Sequence, residues 1–429
     1  MATPPNSQET RNAASPAASP PRPGVARYVS GSAAQALLVP VLAVFVGLLL
    51  GGVVIAATDA GVAAAFRAFS ADPGGVFRAI WQAVVKGYGA LFYGSIGSPR
   101  EMLDGYRIYL ETGDNKALLK AIYPFTESLT TATPYIFAGL AVALGFRCGL
   151  FNIGAEGQFF IGALGAAFVG YSISGLPAFL HLPLALLGGA LAGAVWGAVP
   201  GYLKARFGAH EVVNTIMMNW IAFRLSDWLL TGPMQAAGFR PVTPNIKMTA
   251  ALPRFFEDPL RFNWGFILAL VMAYVVYWLL FKTTIGFEIR AVGANPDGAK
   301  YAGINVVRNF VLVMTLSGAL AGLAGTAQVL GVDHWVGQGF SAGYGFDSIA
   351  LALLGKSHPL GVVLAALLFG FLRSGATRMQ SLAGIPIDII SIIQGLVIIF
   401  VAAPALIRWL FRIPVPTAEE TVLTRGWGK

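Results

Sequence analysis

The residues best placed for chemistry lie in an apolar stretch, 146–171, which reads FRCGLFNIGAEGQFFIGALGAAFVGY. Asn152, Glu156 and Gln158 stand there among glycines and large apolar side chains. A carboxylate in such surroundings is expensive, about 2.5–3.5 kcal/mol at the centre of a membrane helix, and such groups usually face a protein interior or a solute path. Gly149, Gly154 and Gly157 loosen the helix and can bare backbone groups to a polar solute. If the segment is helical, Asn152 and Glu156 share a face. The chemistry on offer is recognition of a polar solute; a hydrogen-bonded knot locking one helix to its neighbours is the alternative, and a knot at a moving interface can do both.

A second set follows in HEVVNTIMMNWIAFRLSDWLL. Glu211, Asn214, Thr215, Met218, Asn219 and Ser226 recur at the spacing of one helix face. A polar stripe on an apolar span faces protein or water. It reads as part of a path or as interhelical glue. Asp347, in the Gly-rich run 338–355 (QGFSAGYGFDSIALALLG), is the third buried-acid candidate.

The loop after Phe281 has a different character. Asn295 suits an N-cap, Pro296 the first helical position, and Asp297 the positive helix start. Gly303 suits the stop. A helix of about two turns is expected from Pro296 to Ala302. Such a helix is marginal alone, so it needs a partner surface. Gly298, Ala299 and Ala302 allow close approach, with Arg290, Lys300 and Tyr301 around them. An ordinary capped turn is the bland alternative.

Several chemistries are excluded. Residues 350–357, ALALLGKS, fall one residue short of a phosphate loop and have Ala350 where its first glycine belongs. No other nucleotide loop, catalytic triad or metal motif is present. Cys148 is the only cysteine, and the four histidines are scattered. No metal and no cofactor is expected. The net charge of +9 comes without a nucleic-acid motif, and its basic residues cluster at the ends of apolar runs.

These groups need an all-α, polytopic membrane protein to position them. The chain is 56% hydrophobic and 11% charged, with 52 glycines. Barrel-type alternation is missing. About ten spans are expected, near 34–58, 123–146, 150–171, 178–203, 210–231, 263–281, 307–330, 344–356, 359–375 and 386–408. Residues 1–33 read as a disordered cytoplasmic tail and 34–412 as the transmembrane domain. Within it, 59–122 reads as an extracytoplasmic interfacial segment carrying Trp81, Tyr88, Phe92 and Tyr93, and 282–306 as a cytoplasmic loop. Residues 413–429 form a second cytoplasmic tail, so both termini are cytoplasmic. Arg373 and Arg378 fall on the outer side, against the charge rule. The Gly-rich runs around Glu156 and Asp347 each precede a span that starts near a proline. An inverted repeat with broken helices is therefore expected.

The runs GLAVALGFRCGLFNIGAEGQ (139–158), EVVNTIMMN (211–219), RAVGANPDGAKYAGI (290–304) and GFDSIALALLGKSHPLG (345–361) resemble the permease family of bacterial ABC importers for ribose-type sugars, branched-chain amino acids and nucleosides. The NIGAEGQ wording most resembles the nucleoside subgroup that works with a BMP-type lipoprotein. The similarity covers residues 120–408, and its motifs are specific in combination. It implies a permease subunit in the cell membrane, not an enzyme. The implied partners are a second permease subunit in a heterodimer, a separate cytoplasmic ABC ATPase and an extracytoplasmic substrate-binding lipoprotein. The helix with Asn295, Pro296, Asp297, Ala299, Lys300, Tyr301 and Gly303 becomes the coupling helix. The path runs by Asn152, Glu156, Gln158, Glu211, Asn214, Asn219 and Asp347. Nucleosides are the implied solute. Sugars and branched-chain amino acids are the alternatives within the family, and an ion-coupled secondary carrier using Glu156, Glu211 or Asp347 is the alternative outside it.

Overall fold

The computed structural model describes residues 25–341 and 343–413. The expected tails over 1–33 and 413–429 therefore fall largely outside the described residues; helix reaches back to Val25, inside the first of them. The described residues form sixteen α-helices. They are α1 (Val25–Thr58), α2 (Ala60–Arg67), α3 (Pro73–Ser95), α4 (Pro99–Thr112), α5 (Lys116–Arg147), α6 (Ala155–Ser172), α7 (Ala178–Phe207) and α8 (Glu211–Thr231). After a long irregular connection come α9 (Gly265–Lys282), α10 (Thr284–Ala294), α11 (Pro296–Tyr301), α12 (Val306–Gln328), α13 (Tyr344–Leu354), α14 (Pro359–Ala383), α15 (Asp388–Ala402) and α16 (Pro404–Leu410).

Six of these are long and apolar enough to cross a membrane: α1 from Leu38, α5, α7, α9, α12 with the π turn that extends it to Asp333, and α14. The pair α15–α16, bent by 87°, would make a seventh. The expected count of about ten is not confirmed: it included α6, α8 and α13, which fall short by length or hydropathy. Glu156 and Gln158 lower the hydropathy of α6, and Glu211, Arg224 and Asp227 lower that of α8. Helix α13 has only 11 residues. Helices α6 and α13 are sheltered by neighbouring helices and α8 packs one face on α6, so none need be apolar on every side.

Two triplets of helices exchange partners. Helix α7 packs along α12, and α14 packs along α5. Helix α6 lies against α12, and α13 lies against α5. This is the pattern an inverted repeat of α5–α6–α7 and α12–α13–α14 produces. Small residues allow the close fit. Gly189, Gly193 and Gly197 of α7 face Gly318, Gly322 and Thr326 of α12, where an added methyl would run into backbone or the Thr326 hydroxyl. With lipid as solvent, such backbone approach is the main source of helix affinity.

The segment 59–122 carries α2, α3 and α4, and its last residues, 116–122, already belong to α5. Asp59 and Asp72 cap the first two through Val62 and Gly75 N–H groups at 3.0 and 2.9 Å. Trp81, Phe92 and Tyr93 are exposed. The Tyr88 hydroxyl donates to the Leu48 carbonyl and ties α3 to α1.

Candidate functional site

Helix α5 ends at Arg147, and seven residues of turn intervene before α6 starts at Ala155. Gly149 takes the left-handed conformation (φ 74°) that lets the chain reverse there. Asn152 is fully buried in this turn. Its Oδ1 accepts from the Gly154 N–H at 3.0 Å and from Gln158 Nε2 at 3.2 Å. Its Nδ2 donates to Gln158 Oε1 at 2.9 Å and to Ser317 Oγ at 2.8 Å. Ser317 passes the chain on to the Ala141 carbonyl at 2.6 Å. One amide pair therefore ties α5, α6 and α12 together.

A helix start leaves four N–H groups without intrahelical partners. Gly154, the residue before α6, has no side chain to cap them. Asn219 of α8 does this across space. Its Oδ1 accepts from the Gly157 N–H at 2.8 Å, and its Nδ2 donates to the Ile153 carbonyl at 2.9 Å. Gly157 is needed because a methyl there would press on Asn219 and Ala222.

Glu156 faces the other way. It is 3% exposed, and its carboxylate accepts the Ser341 hydroxyl and, at 2.6 Å, the Gly345 N–H in the first turn of α13. Helix α13 also lacks a side-chain cap of its own, its preceding residue being Gly343 at φ 87°. Each short helix thus has its positive end satisfied by a side chain from elsewhere. The two helix starts touch: any Cβ on Gly345 would collide with the backbone at Ala155 and Glu156. Asn152 and Glu156 consequently do not share a helix face, as their spacing suggested, because α6 starts only after Asn152.

Asp347, two residues beyond Gly345, accepts the Tyr135 hydroxyl at 2.7 Å. Arg373 of α14 donates to the same hydroxyl at 2.9 Å and lies 3.5 Å from Asp347. Its guanidinium also sits 5.3 Å from the Tyr344 ring centre. Tyr344 meets Tyr135 at 4.7 Å and stacks on Phe159 at 5.7 Å. Phe340 continues this wall to Phe159 and Phe160. The sequence reading did not select Tyr135, Tyr344 or Arg373. The one signal available in the sequence is Arg373, an ion within an apolar run.

The candidates on α8 separate. Thr215 and Asn219 are buried against α6. Glu211 forms an ion pair with Lys204 at 2.9 Å. Asn214 Nδ2 is buried with no hydrogen-bond partner among the described residues. The opposite face, with Met217, Trp220, Ile221, Arg224 and Trp228, is exposed; Arg224 is 80% exposed and 3.8 Å from Asp227.

The short helix expected after Asn295 is α11. Asn295 Oδ1 accepts the Gly298 N–H at 3.0 Å. Gly303, at φ 85°, reverses the chain, and Ile304 N–H closes onto the Ala299 carbonyl at 2.9 Å. Ala299 is buried, whereas Tyr301 is 97% exposed. The end of α10 rests directly on the turn between α5 and α6. Gly293 abuts the backbone of Arg147, Cys148 and Gly149, where a Cβ has no room. The Arg147 and Arg290 guanidiniums lie 5.6 and 5.3 Å from the Phe281 ring centre. Arg147 also donates to the Ser357 and Lys356 carbonyls at 2.8 and 3.3 Å. Those two residues form the GKS turn between α13 and α14, both at positive φ. Burial, with Arg147 as a nearby like charge, holds His358 below the usual histidine range. From α11 to Asn152 the packed route is short: α10, Gly293, Gly149, then the knot.

A family model described as the branched-chain amino acid transport system / permease component matches residues 125–402. The guanosine ABC transporter permease protein NupP of Bacillus subtilis (strain 168) is 38% identical, over 87% of this chain and 95% of its own. The nucleoside ABC transporter permease protein NupB of Lactococcus lactis subsp. cremoris (strain MG1363) is 32% identical, over 89% and 94%. The glucose ABC transporter permease protein TsgB13 of Haloferax volcanii is 36% identical over 66% of this chain and 77% of its own. No solved structure matches.

Proposed function

This chain belongs to the family of the branched-chain amino acid transport system / permease component, and from that premise we propose that it is the transmembrane subunit of an ATP-binding-cassette importer for nucleosides. It is a multi-pass membrane permease. The nucleoside assignment rests on NupP and NupB, which match nearly the whole chain. The structural observation that carries the mechanism is the meeting of α6 and α13 start to start at Glu156, beside Asp347, Tyr135 and Arg373. Broken helices meeting inside a bundle are how many transporters frame a path near the midplane.

In this reading a separate cytoplasmic ATPase docks on α11 and hydrolyses the ATP. Its closure moves α10 against the Arg147–Gly149 turn and so tilts the turn that holds Asn152. The permease supplies two arrangements of different stability, and the nucleotide shifts the balance between them. Glu211 helps fix the inner end of α8 through Lys204. The exposed stripe of α8 receives the second permease subunit, since an arginine such as Arg224 is poorly suited to lipid. An extracytoplasmic lipoprotein delivers solute, and both termini face the cytoplasm. Glu156 accepts two donors and Asp347 is bonded to Tyr135, a fixed setting that favours a structural over an ion-carrying role.

The test is uptake by vesicles holding the assembled importer, competed with guanosine, adenosine, ribose, glucose and leucine. Nucleosides should compete and leucine should not. Competition by ribose or glucose alone would move the assignment to sugars.

A further inference from the structure

Two apolar grooves lie on either side of Leu360, at the start of α14. One, of about 480 Å3, runs between α1 and α14 and is lined by Pro40, Val41, Val44, Leu364 and Leu368. The other, of about 490 Å3, runs between α9 and α14 past Leu270, Tyr274 and Val363. His358 and Leu360 border both. Leu360 stands 64% exposed as the ridge between them.

The lining is polar at one end only. Lys356 and His358 line the first groove at the start of α14, and among the described residues no acidic side chain lines either groove. The Lys356 ammonium has no ion-pair partner among the described residues. Its turn is held in place because Arg147 binds the Lys356 and Ser357 carbonyls. From Leu360 to Leu368 the helix rise makes the first groove about 12 Å deep. One leaflet of hydrocarbon is about 15 Å thick. An oily slot one leaflet deep with a cation at its mouth matches an acyl chain and its headgroup. The second groove, which shares His358 and Leu360 with the first and runs along α9 from Tyr277 to Leu270, offers room for the second chain of one molecule.

We propose that an anionic diacyl phospholipid sits astride Leu360, with one chain in each groove and its phosphate at Lys356 and His358. A protein partner is the less suitable occupant, because both grooves are apolar, run beside a span and meet at Leu360 below a single lysine. The lipid would brace the α13–α14 turn that Arg147 joins to the α5–α6 turn, and so would affect how firmly that junction holds.

The test uses the full-length protein, purified in detergent, stripped of lipid and mixed with dioleoyl phosphatidylglycerol or dioleoyl phosphatidylcholine. Native mass spectrometry counts retained lipid, and melting reports its effect. The expected result is one phosphatidylglycerol retained per chain in preference to phosphatidylcholine, with a raised melting temperature. Lys356→Gln should weaken that retention about fivefold, the loss expected for one basic residue at an anionic surface. Lys356→Arg should restore it, which separates charge from folding. Val41→Trp, at an exposed position, should fill the first groove and reduce retention of both lipids. Equal retention of the two lipids, or unchanged preference in Lys356→Gln, would overturn the proposal. So would a cross-link from Leu360→Cys to a second permease subunit, which would place protein in the groove.

Discussion

The carboxylate of Glu156, in the first turn of α6, accepts the backbone N–H of Gly345, in the first turn of α13, at 2.6 Å. The two residues are 189 positions apart and belong to the two halves of an exchanged-partner bundle. One acid therefore closes the junction on which the transport account turns. Glu156→Gln keeps the shape and one acceptor, and should fold with a modest loss of melting temperature. Glu156→Leu leaves the Gly345 N–H and Ser341 hydroxyl without their acceptor, at about 1–3 kcal/mol for each buried donor. Melting of the purified variants should rank wild type, Gln and Leu in that order. An equal melting temperature for Leu and wild type would show that the contact does not hold the junction.

Asn219 should behave as an external cap. Asn219→Asp keeps the acceptor for Gly157 but loses the donor to Ile153, whereas Asn219→Ala loses both. Loss of a helix cap typically costs about 1 kcal/mol. The alanine variant should melt below the aspartate variant, with uptake falling in parallel. The reverse order would mean that a charge in this buried site costs more than the missing cap.

Gly303 sits at φ 85° with nothing within 4 Å of a notional Cβ, so its constraint is conformational and not spatial. Gly303→Val should strain the end of α11 by roughly 1–2 kcal/mol, and Gly303→Asn, which tolerates left-handed backbone, by less. Uptake should drop for valine and largely survive for asparagine at equal membrane levels. Unchanged uptake in the valine variant would remove α11 from the coupling role.

Gly293 is constrained by space instead. A leucine there would push α10 off the Arg147–Gly149 backbone. Gly293→Leu should leave membrane insertion intact and cut uptake by tenfold or more while nucleotide hydrolysis continues. Gly89→Leu, at a site with nothing nearby, is the control and should be silent. Equal uptake in the two variants would disprove the packed route from α11 to the α5–α6 turn.

Local features of this fold are legible in the sequence. Asn295, Pro296 and Gly303 specify α11 because caps and turns depend on neighbours a few residues away. The cost of burying Glu156 likewise announces a partnered group. Its partners are not legible, since Ser341 and Gly345 come from the far half of the chain. Tyr135, Tyr344 and Arg373 escaped notice for the same reason: a tyrosine in an apolar run looks like core until the acid and the base on either side of its hydroxyl are placed. Spacing gives Glu211 its face but not its partner, Lys204, which comes from the end of the preceding helix. The span count is the least legible feature, because hydropathy cannot tell a helix that faces lipid from α6 and α13, which lie among other helices, or from α8, which rests one face on α6.

The most direct test of the central claim is solute uptake by vesicles containing the complete importer, measured with ATP present, with the ATPase subunit left out, and with ion gradients collapsed at constant ATP. Guanosine should accumulate only when the ATPase is present and hydrolysing, and should continue to accumulate when the gradients are gone. Uptake that persists without the ATPase, or that stops when the gradients collapse, would contradict an importer worked through α11.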